Sequence, residues 1–235
     1  MGDELMLKEQ EGTYTDLSLT AEVKLYYDLY IPSAAGESSP LLLAVHGYGA
    51  HKRYMMREAR LMAPPDFVIA SVQAPYPHFR STEKGLRVGF AWLTDHRPAE
   101  SVELHQYFLN KLIEKLVSDG VADRGKVHLL GFSQACALNF RYAFTHPEVP
   151  ASVIGICGGV PSDLGENPAY KPSAAKTLYL FGDDDEFYSN EKFAANDRRL
   201  RDLLPNYASK QFHAGHEITE EMRAEVRRFL KDLAG

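Results

Sequence analysis

A single serine stands between an apolar run and an alanine-rich run in the stretch KVHLLGFSQACALNF, residues 126–140. Gly131 lies two residues before Ser133 and Ala135 two after it, so small side chains would let a strand turn sharply into a helix. The motif G-x-S-x-G presents a nucleophilic serine at such a turn, and this chain departs from it only in the alanine. The pattern predicts that Ser133 is a nucleophile, although serine is also a favoured helix N-cap.

A serine nucleophile needs a histidine base and an acid that orients this base, and with this motif they follow in the order Ser, Asp/Glu, His. Asp183, Asp184 and Asp185 follow the apolar run TLYLFG. Downstream of them, His216 comes after a small-residue loop, whereas His213 still continues the rhythm of a strand. We therefore predict His216 as the base, with His213 as the weaker candidate.

A glycine-rich turn, His46-Gly47-Tyr48-Gly49, follows the apolar run LLLAV. Glycines at such a turn free backbone N–H groups to face a cleft, where they can stabilise a developing oxyanion. The expected donors are the backbone N–H groups of Tyr48 and of Gln134, the residue after the nucleophile. Because His46 precedes the serine, we predict that it orders the loop and is not the base.

The elements that must position these residues are indicated by hydrophobic patterning. Short apolar runs that end in Gly, Pro or Asp are typical of strands buried on both faces of a parallel sheet. These runs are LLLAVHGYG, FVIASVQAP, KVHLLGFS, ASVIGICGG and TLYLFGDDD, with the less apolar YASKQFHAG nearer an edge. Apolar residues at helical spacing lie between or after them, as in 109–116 and 222–233. The alternation predicts a doubly wound, mostly parallel α/β sheet.

Two further segments complete the predicted organisation. Alternation in YTDLSLTAEV and KLYYDLYIP predicts an antiparallel strand pair near the N-terminus. The longest irregular piece spans residues 75–98, and loops of that length tend to line sites. We see no repeat, domain boundary or large lid, so we predict a single domain over residues 1–235.

The composition narrows the function classes. The chain is 45% hydrophobic and 25% charged, with a net charge of −6 that disfavours nucleic-acid or anionic-membrane partners. Cys136 and Cys157 lie in apolar runs and suggest no disulfide framework, and no stretch reaches the length of a spanning helix. The N-terminal stretch lacks the pattern of a secretory signal. We predict a cytoplasmic protein without a membrane anchor, and no feature indicates an oligomeric state.

Taken together, the motifs HGYG, GFSQA, FGDDDEF and GHEI resemble those of the α/β-hydrolase superfamily. The sequence is most similar to compact carboxylesterases, a group that includes acyl-protein thioesterases and dienelactone-hydrolase-like esterases. In that group the acid follows a G-x-x-D pattern, which selects Asp185 and leaves Asp163 as the backup. The resemblance implies a triad of Ser133, Asp185 and His216, with no metal and no organic cofactor.

The chain departs from its thioesterase relatives directly after the acid. Those relatives usually carry proline and small aliphatic residues there, whereas this chain has Glu186, Phe187 and Tyr188. The two aromatic side chains would crowd an acyl pocket, with Trp92 closing its other side. We therefore predict a serine esterase or thioesterase for small-molecule substrates with short or compact acyl groups. The alternatives are a peptidase or amidase on the same triad and a hydrolase-like domain that binds without turnover.

Overall fold

The computed structural model of the chain describes residues 13–234. Residues 1–12, which carry most of the stretch behind the prediction of no secretory signal, lie outside that range, as does Gly235. Strands and helices alternate along the described chain, with the bounds β1 Tyr27–Tyr30, β2 Leu41–Val45, α1 Lys52–Met62, β3 Val68–Val72, β4 Tyr76–Thr82, β5 Gly85–Ala91, α2 Pro98–Ser118, β6 Val127–Phe132, α3 Gln134–Thr145, β7 Pro150–Ile156, β8 Lys176–Gly182, α4 Asn190–Leu203, β9 Tyr207–Phe212 and α5 Glu220–Ala234.

Seven of these strands form one sheet, in the order β1-β3-β2-β6-β7-β8-β9. β1 runs antiparallel to β3, and every other neighbouring pair is parallel. The doubly wound, mostly parallel sheet predicted from the sequence is therefore confirmed. The strand order reverses between β2 and β6, and open α/β sheets bind ligands beyond the carboxyl ends of strands at such a point.

Helices cover both faces of the sheet because its strands are apolar on both sides. In β2, Leu41, Leu43 and Val45 pack into a core shared with α2, α3 and α4. Leu42 and Ala44, which point the opposite way, pack into a second core with α1 and α5. The stripes predicted over residues 109–116 and 222–233 lie in α2 and α5 and face these two cores.

The first of the two predicted N-terminal strands does not form. Residues 13–26 contain no strand, and β1 takes β3 as its antiparallel partner instead. The alternation of YTDLSLTAEV was misleading because its apolar residues cover no core: Leu17, Leu19 and Val23 are all exposed, Leu19 to 97%.

The segment 75–98, predicted to be irregular, is largely a β-hairpin. β4 and β5 pair antiparallel over their whole length, from Tyr76 opposite Ala91 to Thr82 opposite Gly85. Gly85 has a φ of +86°, which permits the tight turn, and the Thr82 hydroxyl donates to its carbonyl at 2.6 Å. The hairpin was not predicted because most of its residues are exposed and give no clear alternation.

Two larger features are lacking in the described range. None of its helices is both long and apolar enough to cross a bilayer. Across residues 13–234, no three histidine, cysteine, aspartate or glutamate side chains cluster in a way that could hold a metal ion.

Candidate active site

Ser133 lies at the junction where β6 ends at Phe132 and α3 begins at Gln134. Its φ of 56° is sterically costly for a residue with a side chain. Gly131 allows the sharp turn, since a Cβ there would lie 2.9 Å from the side-chain nitrogen of Asn139. The Ser133 side chain makes no capping hydrogen bond to α3, so the alternative role of helix N-cap does not describe its hydroxyl.

The Ser133 hydroxyl contacts a histidine 83 positions further along the chain. Ser133 Oγ lies 2.9 Å from His216 Nε2, and His216 Nδ1 lies 2.8 Å from Asp185 Oδ2. An ionised carboxylate only accepts hydrogen bonds, so Nδ1 carries the proton and donates to Asp185. Nε2 is then free to accept the hydrogen bond from Ser133. The three side chains thus form one hydrogen-bonded chain.

The Asp185 carboxylate is fixed by its own loop. Its Oδ1 accepts the backbone N–H groups of Phe187 and Tyr188 at 2.9 and 3.0 Å, and its side chain is fully buried. The loop comes close to the histidine loop because β8 ends in Gly182, where a Cβ would lie 2.2 Å from the carbonyl oxygen of Ala214. Any larger residue at Gly182 would push the acid and the base apart.

The other acids and the second histidine lie elsewhere. Asp183 and Asp184 are exposed in the turn after β8, and Asp183 faces the ring of His213 at 3.2 Å. The His213 side chain is 94% exposed. Asp163 accepts a hydrogen bond from Arg141 at 2.9 Å and belongs to a separate polar cluster. Within the described residues, none of these side chains contacts Ser133.

His46 holds the glycine loop from below. Its Nδ1 donates to the carbonyl of Gly47 at 2.7 Å, and its Nε2 accepts the backbone N–H of Ala74 at 3.1 Å. Burial lowers the pKa of His46 to about 4, so the ring is neutral and suited to one donated and one accepted bond. Gly47 itself packs on the elbow, since a Cβ there would lie 2.9 Å from the Cβ of Ser133.

The two predicted oxyanion donors lie on segments that β5 and the residues after it hold in place. The Gly49 N–H, next to Tyr48, donates to a backbone carbonyl of β5 at 2.9 Å. The carboxamide of Gln134 accepts from the backbone N–H of Trp92 at 3.0 Å and donates to the carbonyl of Leu93 at 2.9 Å. In the described loops and turns, no protein acceptor takes the backbone N–H of Tyr48 or Gln134. Both groups are therefore available to a ligand.

A cleft of about 680 Å³ opens above Ser133. It is lined by Gly47, Tyr48, Ala50, Leu93, Phe132, Ser133, Gln134, Ala137, Gly159, Val160, Phe187, Tyr188, Lys192 and His216. As predicted for the substrate pocket, Phe187 and Tyr188 are among these residues. Their ring centroids lie 4.8 and 6.0 Å from that of His216. Phe187 is 61% exposed, so it forms the rim of the cleft.

Trp92 does not line the cleft, and the prediction that it does is wrong. Its side chain is 1% exposed and lies under the glycine loop, where Nε1 donates to the carbonyl of His46 at 2.8 Å. Its ring meets that of His105 edge to face, with centroids 5.0 Å apart. The next residue, Leu93, reaches the cleft instead. A buried indole finds a partner for its N–H, and here that partner is structural.

Three residues near the site were not predicted from the sequence. Phe132 packs its ring 4.9 Å from that of His216, and its position next to Ser133 was a signal for this contact. Glu186 accepts the backbone N–H of His216 at 3.1 Å and so helps to hold the histidine loop. Lys192 reaches the cleft from the first turn of α4, and no local motif distinguishes it from other surface lysines.

Comparison with known proteins decides the family. The model of the Phospholipase/Carboxylesterase family matches residues 28–234, nearly the whole of the described chain. The chain belongs to this family. This carboxylesterase-family protein is also 28% identical over 155 residues to a protein named "Putative esterase NocK" from Nocardia uniformis subsp. tsuyamanensis. That match covers 65% of this chain and 42% of the relative, so the chain spans less than half of the relative's length.

Solved structures of similar fold include esterases and thioesterases. The family member superimposes on esterase PE8 with a TM-score of 0.70 and 21% identity, over 89% of this chain and 99% of the other. It superimposes on acyl-protein thioesterase 2 of Zea mays with a TM-score of 0.69 and 17% identity, over the same shares of both chains. At these identities the similarity concerns the α/β-hydrolase fold.

Proposed function

We propose that this protein is a serine hydrolase that cleaves carboxylic ester or thioester bonds through an acyl-enzyme intermediate. The observation that carries the proposal is the hydrogen-bonded chain from Asp185 through His216 to Ser133. Membership of the Phospholipase/Carboxylesterase family supports the same reaction class. The order of the three residues along the chain is also the one expected for this fold.

In the first step, Ser133 Oγ attacks the carbonyl carbon of the substrate while His216 Nε2 takes its proton. Asp185 holds the imidazole in the tautomer that leaves Nε2 free and stabilises the imidazolium that forms. The carbonyl oxygen becomes an oxyanion, for which the backbone N–H groups of Tyr48 and Gln134 are the donors. The bond to the alcohol or thiol then breaks, and His216 gives that leaving group its proton.

In the second step, water replaces the departed alcohol or thiol. His216 Nε2 removes a proton from this water as it attacks the acyl carbon bound to Ser133. The tetrahedral intermediate uses the same two backbone donors, and its collapse returns the proton to Ser133 Oγ. The products are the free carboxylic acid and the regenerated enzyme.

Replacement of Ser133 by alanine tests the proposal. Ser133→Ala removes the nucleophile and little packing, so we expect normal folding with kcat/KM for p-nitrophenyl butyrate reduced by about 10⁴-fold or more. A fluorophosphonate probe should label the wild type and not the variant. Wild-type protein that folds but takes up no probe and hydrolyses no ester from acetate to palmitate would be a binding protein, and the proposal would fail.

Two controls separate this reaction from related ones. Peptide p-nitroanilides should be cleaved far more slowly than the matched p-nitrophenyl esters, and the reverse order would indicate a peptidase or amidase. Activity should also survive incubation with EDTA, because every proposed step uses protein groups and water. Loss of activity on chelation, with recovery on added zinc, would replace the serine mechanism with a metal-dependent one.

A further inference from the structure

The cleft above Ser133 combines an apolar wall with one permanently charged side chain. Among the described residues that line it, Lys192 is the one side chain that carries a full charge at every working pH, and no carboxylate lines it. Asp185 is buried beneath the cleft, and Glu186 Oε2 is engaged with the backbone N–H of His216. A substrate in this cleft therefore meets positive charge that no acidic wall residue offsets.

The Lys192 ammonium has no anionic partner in the described part of the protein. Its Nζ lies 3.5 Å from the carbonyl oxygen of Phe187, a long contact for a hydrogen bond, and no carboxylate lies within ion-pair distance of it. Other surface lysines of this acidic chain do find carboxylates, as Lys115 does with Asp119 at 2.7 Å and Lys210 with Glu225 at 2.9 Å. The ammonium of Lys192 is thus free to pair with a ligand.

The position of Lys192 in its helix adds to this positive potential. α4 begins at Asn190, and the Ser189 hydroxyl accepts the backbone N–H of Lys192, which places Lys192 in the first turn. The N-terminal end of a helix carries partial positive charge, so a cation there is electrostatically unfavourable and an anion is stabilised. Glu191, the neighbouring acid, does not line the cleft. The cleft side of this turn therefore favours an anion from outside the protein.

The same geometry indicates which part of a substrate Lys192 meets. Phe187 and Tyr188 pack against the ring of His216, and Lys192 contacts the backbone of Phe187, so all three lie on the histidine side of the cleft. In the proposed reaction the leaving group takes its proton from His216 and therefore occupies that side. We propose that the preferred substrates carry an anionic group, a carboxylate or a phosphate, in their alcohol or thiol part, and that Lys192 binds it. This inference rests on the proposed serine hydrolase function.

A matched pair of esters tests the inference. 3-Acetoxybenzoate and its methyl ester differ in the charge of the alcohol part, and the ratio of their kcat/KM values is compared between wild type and variants, which cancels intrinsic reactivity. We expect Lys192→Gln to lower the anionic-to-neutral ratio about three- to five-fold, since an exposed pair contributes modestly, and Lys192→Glu to lower it further. Lys192→Arg should retain the ratio. Lys176→Gln, an exposed lysine at the start of β8, is the control and should leave it unchanged.

Salt dependence and a second ester pair sharpen the outcome. The wild-type ratio should fall in 0.5 M NaCl because salt screens exposed charges, while that of Lys192→Gln should not. Phenyl hydrogen adipate and phenyl methyl adipate place the charge in the acyl part, and a Lys192-dependent ratio for this pair alone would overturn the inference. A 3-phosphonooxyphenyl acetate arm distinguishes phosphate from carboxylate.

The two proposals fail in different ways. If the neutral ester is hydrolysed and Ser133 reacts with fluorophosphonate, but Lys192→Gln and Lys192→Glu leave the ratio at the wild-type value, the assignment of Lys192 is wrong and the hydrolase function stands. If neither ester is hydrolysed and no probe is bound, the hydrolase function itself is wrong.

Discussion

Ser133 and Cys157 are two non-glycine residues with positive φ, 56° and 48°, and they follow the neighbouring strands β6 and β7. Each such conformation costs on the order of 1–3 kcal/mol and persists only where the surrounding structure enforces it. The enforcement is visible in the Ser133 N–H, which donates to the carbonyl of Ile156 at 2.9 Å. It is visible also at Gly158, where a Cβ would lie 2.2 Å from the carbonyl oxygen of Ser133. The backbone thus fixes the hydroxyl before any substrate arrives.

The identity of the orienting acid can be tested residue by residue. Asp185→Asn should lower kcat by about 10⁴-fold, because an amide that faces Nδ1 favours the wrong imidazole tautomer. Asp183→Asn, Asp184→Asn and Asp163→Asn are matched controls that remove carboxylates elsewhere, and we expect less than about a ten-fold effect from each. Steady-state kinetics on the four variants decide the matter, and a severe loss confined to Asp163→Asn would overturn the choice of Asp185.

The residues that the sequence could indicate are those whose neighbours form a local motif. Ser133 stands in an elbow motif, Asp185 at a fixed spacing after a glycine, and Tyr48 in a glycine turn, so each could be assigned before the structure was known. Lys192 and Trp92 have no such motif. Their places depend on how α4 and the β4–β5 hairpin pack against the sheet, which involves contacts between residues distant in the chain.

At the scale of elements, the connection from β8 to α4 supplies three parts of the cleft. Within eight residues it presents the buried Asp185, the aromatic pair Phe187 and Tyr188, and the unpaired ammonium of Lys192. The backbone N–H groups of both aromatic residues bind the carboxylate, so the acid and the rim form one rigid turn. Changes to the rim side chains should therefore alter specificity without moving the acid.

Phe187→Ala should widen the range of accepted acyl groups. The wild type should prefer acyl chains of about two to six carbons, because the rings of Phe187 and Tyr188 occupy the space over His216, and each further CH₂ gains about 0.8 kcal/mol only where it can be buried. Removal of the exposed ring should shift the optimum of kcat/KM to longer chains. The measurement is a series of p-nitrophenyl esters from acetate to palmitate.

Phe193→Ala is a control on the same helix, since Phe193 stacks on Phe181 outside the cleft, and it should not shift the optimum. A wild-type optimum at palmitate that Phe187→Ala leaves in place would contradict the crowded rim.

Elements were predictable where burial imposed a pattern and were missed where it did not. β2, β6, β7 and β8 are apolar on both faces and end at a glycine or a polar turn, and each was recognised. The β4–β5 hairpin has one exposed face that carries Phe79, Leu86 and Val88, and its other face packs on a loop, so its side chains follow neither period. A strand in such surroundings gives little signal in its own sequence.

At the scale of the whole molecule, three buried histidines make stability depend on pH. Burial lowers the pKa values of His46 and His128 to about 4 and that of His105 to about 3, whereas an unfolded histidine titrates near about 6.5. Among the described residues, neither ring nitrogen of His105 has a partner that would compensate a charge. Below about pH 6.5 the unfolded state binds more protons than the folded state, so the free energy of unfolding should fall from there towards pH 4.

The variant His128→Gln should flatten this pH dependence. Removing one such histidine should reduce the loss of unfolding free energy by up to about 1.4 kcal/mol per pH unit between about pH 6 and 4.5. Urea unfolding at several pH values measures the slope, which is informative even if the variant is less stable throughout. His96→Gln, at an exposed position, is the matched control, and an equal change of slope in both variants would contradict the argument.

The β4–β5 hairpin has two ends that should respond differently to engineering. Its base is locked to the glycine loop, since a Cβ on Gly89 would lie 2.6 Å from the carbonyl oxygen of Gly49. Its tip, Glu83 and Lys84, is exposed and lies about 20 Å away along the strands. A ligand-responsive domain grafted between Glu83 and Lys84 would thus be tolerated by the core while its motion reached the glycine loop through the paired strands. The hairpin is a lever through which an unrelated signal could be made to set the turnover of this protein.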